Sequence, residues 1–312
     1  MELSTSNGQP LQALSDQMAQ IVGQIAQSVV AVHGRQRVAS SGVIWRDGVV
    51  VTAAHTLRRD DGIDVTLPDG STVAANFAGR DPGTDVAVLK LDGASLPAVA
   101  TGDASALKPG HLVLAVARLD SLGASADFGV IGGVGGPWRT WRGGQLDAFV
   151  RLDGGLYPGF SGAPLADMRG TVVGLCTSAL ARGAGMVIPA STVTRVADEL
   201  LAKGRVSRAY VGIGTQQVSL RDTWIDALKL STDRGLLVVS LARGGPAEQA
   251  GVFVGDIVTA LDGQPCRDVD DLHAALSTAR VGQPLKLDLI RGGARSECTV
   301  VVAERPQQHG CR

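Results

Sequence analysis

The sequence predicts a chain dominated by β structure and divided into two domains. Its 41 glycines and 13 prolines, with only 4% aromatic residues, are typical of many short elements joined by tight turns. Apolar runs of strand length recur along the chain, and turn clusters such as Arg46-Asp47-Gly48 and Pro68-Asp69-Gly70 separate them. At about 100–200 residues per domain, a chain of 312 residues corresponds to two domains.

Composition and charge exclude several classes of protein. Hydrophobic residues make up 45% of the chain and charged residues 19%, which excludes global disorder. The 29 Lys and Arg residues nearly balance the 30 Asp and Glu residues, so nothing electrostatic favours nucleic acid or an anionic membrane as a partner. No apolar run approaches the roughly 18–20 residues that a membrane-spanning helix needs.

The N-terminal segment predicts an amphipathic helix. Apolar residues recur at helical spacing between Leu11 and Ile25. The stretch Met1–Gln20 has neither the basic start nor the apolar run of a secretory signal. We therefore expect either a cytoplasmic protein or one whose leader lies outside this sequence.

A series of evenly spaced strands follows, which indicates a sandwich or a barrel. The predicted strands are Val29–His33, Ser41–Trp45, Val49–Ala53, Ile63–Leu67, Ala87–Leu91, Leu112–Ala117, Phe149–Leu152, Thr171–Leu175 and Gly185–Ile188. The stretch Gly129–Gly144 holds seven glycines around Trp138 and Trp141, and we predict a loop there.

A helix is predicted from Ser191, its cap, to Lys203, and Gly204 ends it. Strand patterns then resume at Tyr210–Ile213, Leu236–Leu241, Ile257–Leu261, Leu285–Ile290 and Cys298–Ala303, with short helices at Pro246–Ala250 and Val269–Thr278. We expect an N-terminal helical segment at 1–28, a β domain at 29–203, a linker at 204–207, a second β-rich domain at 208–305 and a tail at 306–312.

The four cysteines lack the spacing of metal ligands. They are Cys176, Cys266, Cys298 and Cys311. We expect buried or unreactive thiols, with a Cys266–Cys298 bridge as the alternative. The Asp60-Asp61 pair is predicted to be a solvated turn rather than a metal site, and we expect no metal and no cofactor.

Three polar residues lie at strand boundaries in the order His, Asp, Ser. His55 ends a valine-rich strand, Asp85 precedes a buried strand, and Ser161 lies between glycines. A serine hydroxyl keeps its proton at neutral pH, so it needs a neutral imidazole as base, which a carboxylate then orients. Backbone N–H groups of Gly159 and Ser161 in a tight glycine turn would stabilise an oxyanion.

These segments resemble the HtrA/Deg family of trypsin-like serine proteases. Thr52–His55, Thr84–Leu91 and Gly159–Pro164 are similar to the family's histidine, aspartate and serine motifs. The resemblance spans nearly the whole chain and implies a trypsin-like pair of six-stranded β-barrels with the active site between them, followed by a PDZ domain. It also implies a trimer built through the N-terminal segment, and family members often work in the bacterial envelope.

The second domain resembles the PDZ domains of this family. Arg208–Ile213 is similar to their carboxylate-binding loop, so Tyr210, Val211, Gly212 and Ile213 are the expected peptide-binding residues. Such a domain binds a C-terminal peptide as an extra strand at a sheet edge. The alternative is a domain that only packs against the protease or assembles oligomers.

The resemblance also places the walls of the substrate pocket. The candidate residues are Thr177, Ser178, Ala179, Met186 and Val187. No acidic residue lies in these stretches, which disfavours cleavage after Lys or Arg, and Met186 and Val187 favour a small or medium aliphatic side chain. The segment around Trp138 and Trp141 resembles the family's activation loops, with ordinary loop packing as the alternative.

The chain departs from the family pattern close to the serine. Phe160 replaces a polar residue, Ala163 replaces a glycine, and Ala117-Arg118-Leu119-Asp120 replaces a Gly-Asn-Pro-type loop. The resemblance implies an ATP-independent serine endopeptidase that cleaves unfolded or damaged proteins and is regulated by peptides bound to the PDZ domain. The alternative, motivated by Ala163, is a chaperone-like or adaptor protein with a silent protease fold.

Overall fold

The structure is a computed structural model that describes residues 9–35, 38–93, 96–119, 123–181, 183–279 and 281–305, without the side chains of residues 277 and 278. The chain divides into two compact units, 1–206 and 207–312. None of the helices in the described ranges combines the length and the apolar character required to cross a bilayer.

The first unit begins with helix α1 (Gln9–Ala26) and continues into a closed barrel of six antiparallel strands. The strands are β1 (Val29–His33), β2 (Ser40–Arg46), β3 (Val49–Ala53), β4 (Ile63–Thr66), β5 (Thr72–Asp81) and β6 (Val86–Leu91), paired in the order β1-β2-β3-β6-β5-β4. Val30 and Val32 of β1 lie in the barrel core, whereas Val29 packs in the apolar layer under α1. Burial on both faces explains the unbroken valine runs.

A second closed barrel completes the first unit. Its strands are β7 (Leu112–Leu119), β8 (Gly123–Gly135), β11 (Phe149–Leu152), β12 (Pro164–Asp167), β13 (Val172–Thr177) and β14 (Met186–Pro189), in the order β11-β14-β13-β12-β7-β8, and the short strands β9 (Trp138–Arg139) and β10 (Gln145–Leu146) pair beside it. The predicted pair of six-stranded β-barrels is thereby confirmed. The prediction of a loop from Gly129 was wrong as far as Gly135, because β8 hydrogen-bonds to β7 and β11 and its glycines keep that pairing.

Helix α2 (Ala190–Lys203) packs on the first unit with a face formed by Val193, Val196 and Leu200. Ser191 was predicted as its cap, but Pro189 occupies the N-cap position and makes no side-chain cap, so Ser191 lies within the first turn. Gly204 ends the helix as predicted, in the left-handed conformation with φ +71°.

The second unit is a sheet in the order β16-β17-β18-β20-β21, with β19 paired to β18 and β15 paired to β22. Its elements are β15 (Ala209–Tyr210), β16 (Ile213–Ser219), α3 (Asp222–Leu228), β17 (Arg234–Leu241), α4 (Pro246–Gln249), β18 (Ile257–Leu261), β19 (Gln264–Pro265), α5 (Val269–Thr278), β20 (Pro284–Arg291), β21 (Ala294–Val301) and β22 (Ala303–Glu304). The predicted strand Tyr210–Ile213 is interrupted at Val211-Gly212, and α3 was not predicted.

Three cysteines lie within the described residues, and all three are buried free thiols. The alternative of a Cys266–Cys298 bridge is therefore wrong, and Cys311 lies outside the described residues. Burial raises the pKa of Cys176 and of Cys266 to about 12 and also raises that of Cys298. Within the described part of the chain, no cluster of His, Cys, Asp or Glu is arranged to hold a metal ion.

Candidate active site

His55 and Asp85 come together at one edge of the first barrel. His55 lies in a single 3-10 turn (Ala54–Thr56) directly after β3, and Asp85 lies in the turn between β5 and β6. The ring Nδ1 of His55 is 2.8 Å from Asp85 Oδ2, and the backbone N–H of His55 donates to Asp85 Oδ1, also at 2.8 Å. The carboxylate is 1% exposed and the ring 24%, so the imidazole edge is the accessible part.

The turn that carries Asp85 is held by its own hydrogen bonds. The carboxylate of Asp81 accepts from the backbone N–H groups of Gly83 and Thr84 and from the Thr84 hydroxyl. Asp85 adopts φ +62°, a conformation that Asp tolerates better than most residues, and its carbonyl accepts from the Ala54 N–H. The backbone therefore sets the direction of the carboxylate before the imidazole meets it.

Thr177 supplies a third donor to this carboxylate. Its hydroxyl lies 2.5 Å from Asp85 Oδ2, and the residue is fully buried. We predicted Thr177 as a pocket wall, but its side chain faces Asp85 instead of an open pocket. Sequence reasoning missed this role, although a threonine that ends a fully buried strand needs a hydrogen-bond partner.

Ser161 lies in the loop before β12, on a turn that two glycines make possible. Gly159 and Gly162 have φ +93° and +87°, and a Cβ on Gly162 would lie 2.1 Å from the Ser41 carbonyl oxygen. The Ser161 hydroxyl is 3.2 Å from the Ser178 hydroxyl. In the described ranges, no hydrogen bond joins Ser161 to the His55 ring, so the serine rests in a hydrogen bond with Ser178.

Backbone N–H groups of Gly159 and Ser161 have no hydrogen-bond acceptor within the described residues. The neighbouring N–H groups are occupied, because Phe160 donates to the Tyr157 carbonyl and Gly162 to the Cys176 carbonyl. Unpaired N–H groups this close to a buried turn are rare in folded proteins. The pair matches the two donors that we predicted for an oxyanion.

Ser41 and Arg118 support the serine turn, and sequence reasoning identified neither in this role. Ser41 donates to the Gly159 carbonyl twice, from its backbone N–H at 3.0 Å and from its hydroxyl at 2.8 Å. The backbone N–H of Arg118 donates to the Ser41 hydroxyl, and its buried guanidinium donates to the carbonyls of Ala26 and Val29. This series of hydrogen bonds links the end of α1 to the serine turn.

Ala163 and Phe160, the two departures from the expected motif, are accommodated by the fold. Ala163 is fully buried in the core of the second barrel, and its φ is not positive. Its added Cβ therefore meets no backbone strain. Phe160 is 4% exposed in the same core, with its ring edge-on to that of Tyr157.

The predicted pocket residues fall into two groups. Ser178 and Ala179 line an open cleft of about 580 Å³ together with Trp141 and Leu180. Met186 and Val187 were also predicted to line it, but both are fully buried, because Met186 packs in the apolar layer under α1 and Val187 in the core of the second barrel. The preference for an aliphatic side chain stays a prediction, and it now depends on the small and apolar residues of the cleft.

The glycine-rich segment touches both the cleft and the Asp85 turn. Trp141 is 72% exposed at the cleft, with the Arg142 guanidinium over its ring. The buried Thr140 hydroxyl donates to the Gly83 carbonyl, two residues before Asp85. Trp138 instead packs edge-on against Phe149. A role for this segment in activation stays a prediction.

In the second unit, the predicted carboxylate-binding residues lie between β15 and β16. Tyr210 pairs in β15, Gly212 has φ +81°, and Ile213 begins β16. The N–H groups of Val211 and Gly212 have no acceptor among the described residues. Strand β16 is the edge of its sheet, and α5 packs beside it.

Two family models match the chain. Residues 40–175 match the trypsin-like peptidase domain, and residues 210–302 match the PDZ domain. The first range contains His55, Asp85 and Ser161, and the second contains Tyr210, Val211, Gly212 and Ile213.

Curated relatives and solved structures point in the same direction. The probable periplasmic serine endoprotease DegP-like of Pseudomonas putida (strain W619) is 34% identical over 87% of this chain, and that of Brucella suis biovar 1 is 34% identical over 89%. The chain spans 57% and 55% of these two relatives. The HtrA-type protease AlgW with decapeptide aligns at 25% identity and a TM-score of 0.76, over 93% of this chain and 99% of that one. The serine endoprotease from Yersinia pestis aligns at 28% identity and a TM-score of 0.74, over 98% of this chain and 100% of that one.

Proposed function

The chain belongs to the HtrA/Deg family of trypsin-like serine proteases and carries one PDZ domain. We propose that it is an ATP-independent serine endopeptidase that cleaves unfolded or damaged proteins. The observation that carries this proposal is the bond between His55 and Asp85, next to a turn that carries Ser161 and two N–H groups without acceptors among the described residues. Burying N–H donors without acceptors costs free energy, and in a protease fold without activity no oxyanion would offset that cost.

In the proposed reaction, His55 Nε2 takes the proton of the Ser161 hydroxyl as the oxygen attacks the substrate carbonyl. Asp85 holds the Nδ1–H and stabilises the imidazolium that forms. The imidazolium then gives its proton to the leaving amine, and water hydrolyses the acyl-enzyme by the same route. Ser161 first exchanges its bond to Ser178 for one to His55, a tightening that substrate binding commonly brings.

The Gly159 and Ser161 N–H groups would stabilise the oxyanion of each tetrahedral intermediate. Each such donor lowers the barrier by about 3–4 kcal/mol in comparable sites. Ser41 favours this arrangement, because its two bonds to the Gly159 carbonyl fix the turn from behind. The acyl side of the substrate would lie along Ser178 and Ala179, in the cleft that they line.

The PDZ unit is proposed to bind C-terminal peptides that regulate cleavage. The N–H groups of Val211 and Gly212, which have no acceptor in the part of the chain that the structure describes, would donate to the terminal carboxylate, with Tyr210 and Ile213 beside them. The open edge of β16 supplies the strand to which a peptide adds. Structures of the related AlgW hold a tripeptide or a decapeptide.

Boundaries, assembly and role complete the proposal. We take 29–203 as the protease domain, 204–207 as the linker and 208–305 as the PDZ domain. A trimer through the N-terminal segment is proposed, and Leu11, which α1 leaves 71% exposed, is a candidate contact. The proposed role is protein quality control under stress.

Casein digestion by the wild type and by Ser161→Ala, side by side, tests the activity. A serine-directed phosphonate probe should label the wild type and leave Ser161→Ala unlabelled. Ser178→Ala is the matched control, because it removes the neighbouring hydroxyl and keeps the nucleophile. Absence of both labelling and digestion in the wild type would establish the silent protease fold instead.

A further inference from the structure

A second cleft borders the segments that follow His55 and precede Gly159. Its volume is about 1190 Å³, and Arg35, Arg58, Arg59, Asp64 and Pro158 are among its lining residues. We name it the basic cleft. It shares no lining residue with the cleft of Ser178 and Trp141, so the two are separate openings of the first unit.

The chain connects the basic cleft directly to the reacting groups. Arg58 follows His55 by three residues, and its backbone N–H donates to the carbonyl of Gly34, another lining residue of the cleft. Pro158 immediately precedes Gly159, one of the two proposed oxyanion donors. In the proposed arrangement, an extended substrate whose acyl side lies along Ser178 places the residues that follow the cut bond in the basic cleft.

Among the described residues, the lining of the cleft carries three arginines and one acidic residue. The described residues give no salt bridge to Arg35, Arg58 or Arg59, and Asp64 is the acidic residue of the lining. Asp60, the acidic neighbour of Arg59, pairs with Arg80 instead. Arg58 and Arg59 are exposed and present guanidinium groups, which bind carboxylates through paired N–H donors.

We infer that the basic cleft selects substrates with Asp or Glu in the first residues after the cut bond. The inference depends on the proposed function and names the substrate class of that same site. Arg58 and Arg59 determine the specificity, and Arg35 adds to the field. The arginines would attract the acidic residues that follow the cut bond and so favour binding of the substrate. The preference for the residue on the acyl side would stay unchanged.

Three quenched peptides test the inference. They share one acyl side and carry either Glu-Glu or Lys-Lys after the cut bond, with Gln-Gln as the neutral reference. At low salt, we expect kcat/KM to be about tenfold higher for the Glu peptide than for the Lys peptide. The ratio should fall towards one near 1 M salt, because the screening length shrinks to about 3 Å.

Paired variants assign the effect to the cleft. Arg58→Gln/Arg59→Gln should remove the preference and keep the rate on the neutral peptide, and Arg58→Glu/Arg59→Glu should reverse it. Arg169→Gln is the control, since Arg169 is an exposed arginine on the turn between β12 and β13. Binding of the same peptides to Ser161→Ala, measured by fluorescence anisotropy, gives the ratio without turnover.

The outcomes separate the two proposals. Ser161-dependent cleavage without a charge preference overturns the basic cleft and leaves the peptidase intact. A preference that survives in both double variants also overturns it. If no peptide is cut or bound and the phosphonate leaves Ser161 unlabelled, the peptidase proposal fails and the cleft proposal fails with it.

Discussion

The two halves of the active site are built differently. Asp85 receives three donors, from the His55 backbone, the His55 ring and the Thr177 hydroxyl, and is almost fully buried. Ser161 has one side-chain hydrogen bond, to Ser178, and its turn leaves two N–H groups without acceptors in the described residues.

The difference shows where the substrate is needed. The acid–base half is complete on its own, because a buried carboxylate must have its donors in the folded protein whether or not substrate is present. The serine half is held by the bonds of Ser41 to the Gly159 carbonyl, and its N–H groups would be satisfied only by a bound substrate. Changes in the first half should therefore act on chemistry, and changes in the second on the geometry of the turn.

The largest effect is expected for Asp85→Asn. An amide cannot accept all three donors and favours the wrong imidazole tautomer, so kcat should fall about 10⁴-fold. Hydrolysis of a peptide substrate measures kcat, and circular dichroism checks the fold. A loss of less than tenfold would contradict the claim that this half is complete before substrate binds.

Gly162→Ala should follow in size. The new Cβ would contact the Ser41 carbonyl at φ +87°, so the turn must shift, and the loss of one oxyanion donor costs about 10²–10³ in kcat. Ala163→Gly is the matched control, because Ala163 needs no positive φ and should keep activity within threefold. Equal losses in the two variants would show that turn geometry does not explain the effect.

Thr177→Val should lower kcat about tenfold, since it removes one hydrogen bond to a charged carboxylate. Thr177→Ser keeps the hydroxyl and should retain most of the activity. Titration with the phosphonate probe corrects kcat for the active fraction. A pocket role would instead change KM and substrate preference in both variants.

The smallest effect is expected for Ser41→Ala, with kcat about three- to fivefold lower. The backbone N–H of Ser41 still holds the Gly159 carbonyl, so half of the support remains. Ser40→Ala removes an equally buried hydroxyl that bonds to Thr56 instead, and its kcat should stay unchanged. The rates of phosphonate labelling compare the serine turn in the two variants. A larger loss of kcat in Ser40→Ala than in Ser41→Ala would contradict the role of Ser41.

Sequence reasoning identified the parts of the site that local patterns carry. His55, Asp85 and Ser161 each lie in a motif at a strand boundary, where the turn residues are visible in the sequence. Sequence reasoning did not identify the supports Ser41 and Arg118, because Ser41 reaches Gly159 across 118 residues of chain and Arg118 reaches Ser41 across 77. It placed Met186 and Val187 in the pocket because a sequence does not show how many faces of a strand are covered.

The strands also divide into those that a local pattern predicts and those that it does not. Alternation of apolar residues with turns predicted most of the barrel strands, but the glycines of β8 gave no apolar signal although the strand pairs on both sides.

The sequence by itself determined most of the barrel strands, the three reacting side chains and the glycines of the serine turn, because these depend on local conformation and on chemical identity. Only the tertiary structure decided which donors Asp85 receives, that Ser161 rests against Ser178, and that three arginines share a cleft next to the serine turn. Each of these depends on a distance between segments far apart in the chain, and such distances are set by the packing of the whole unit.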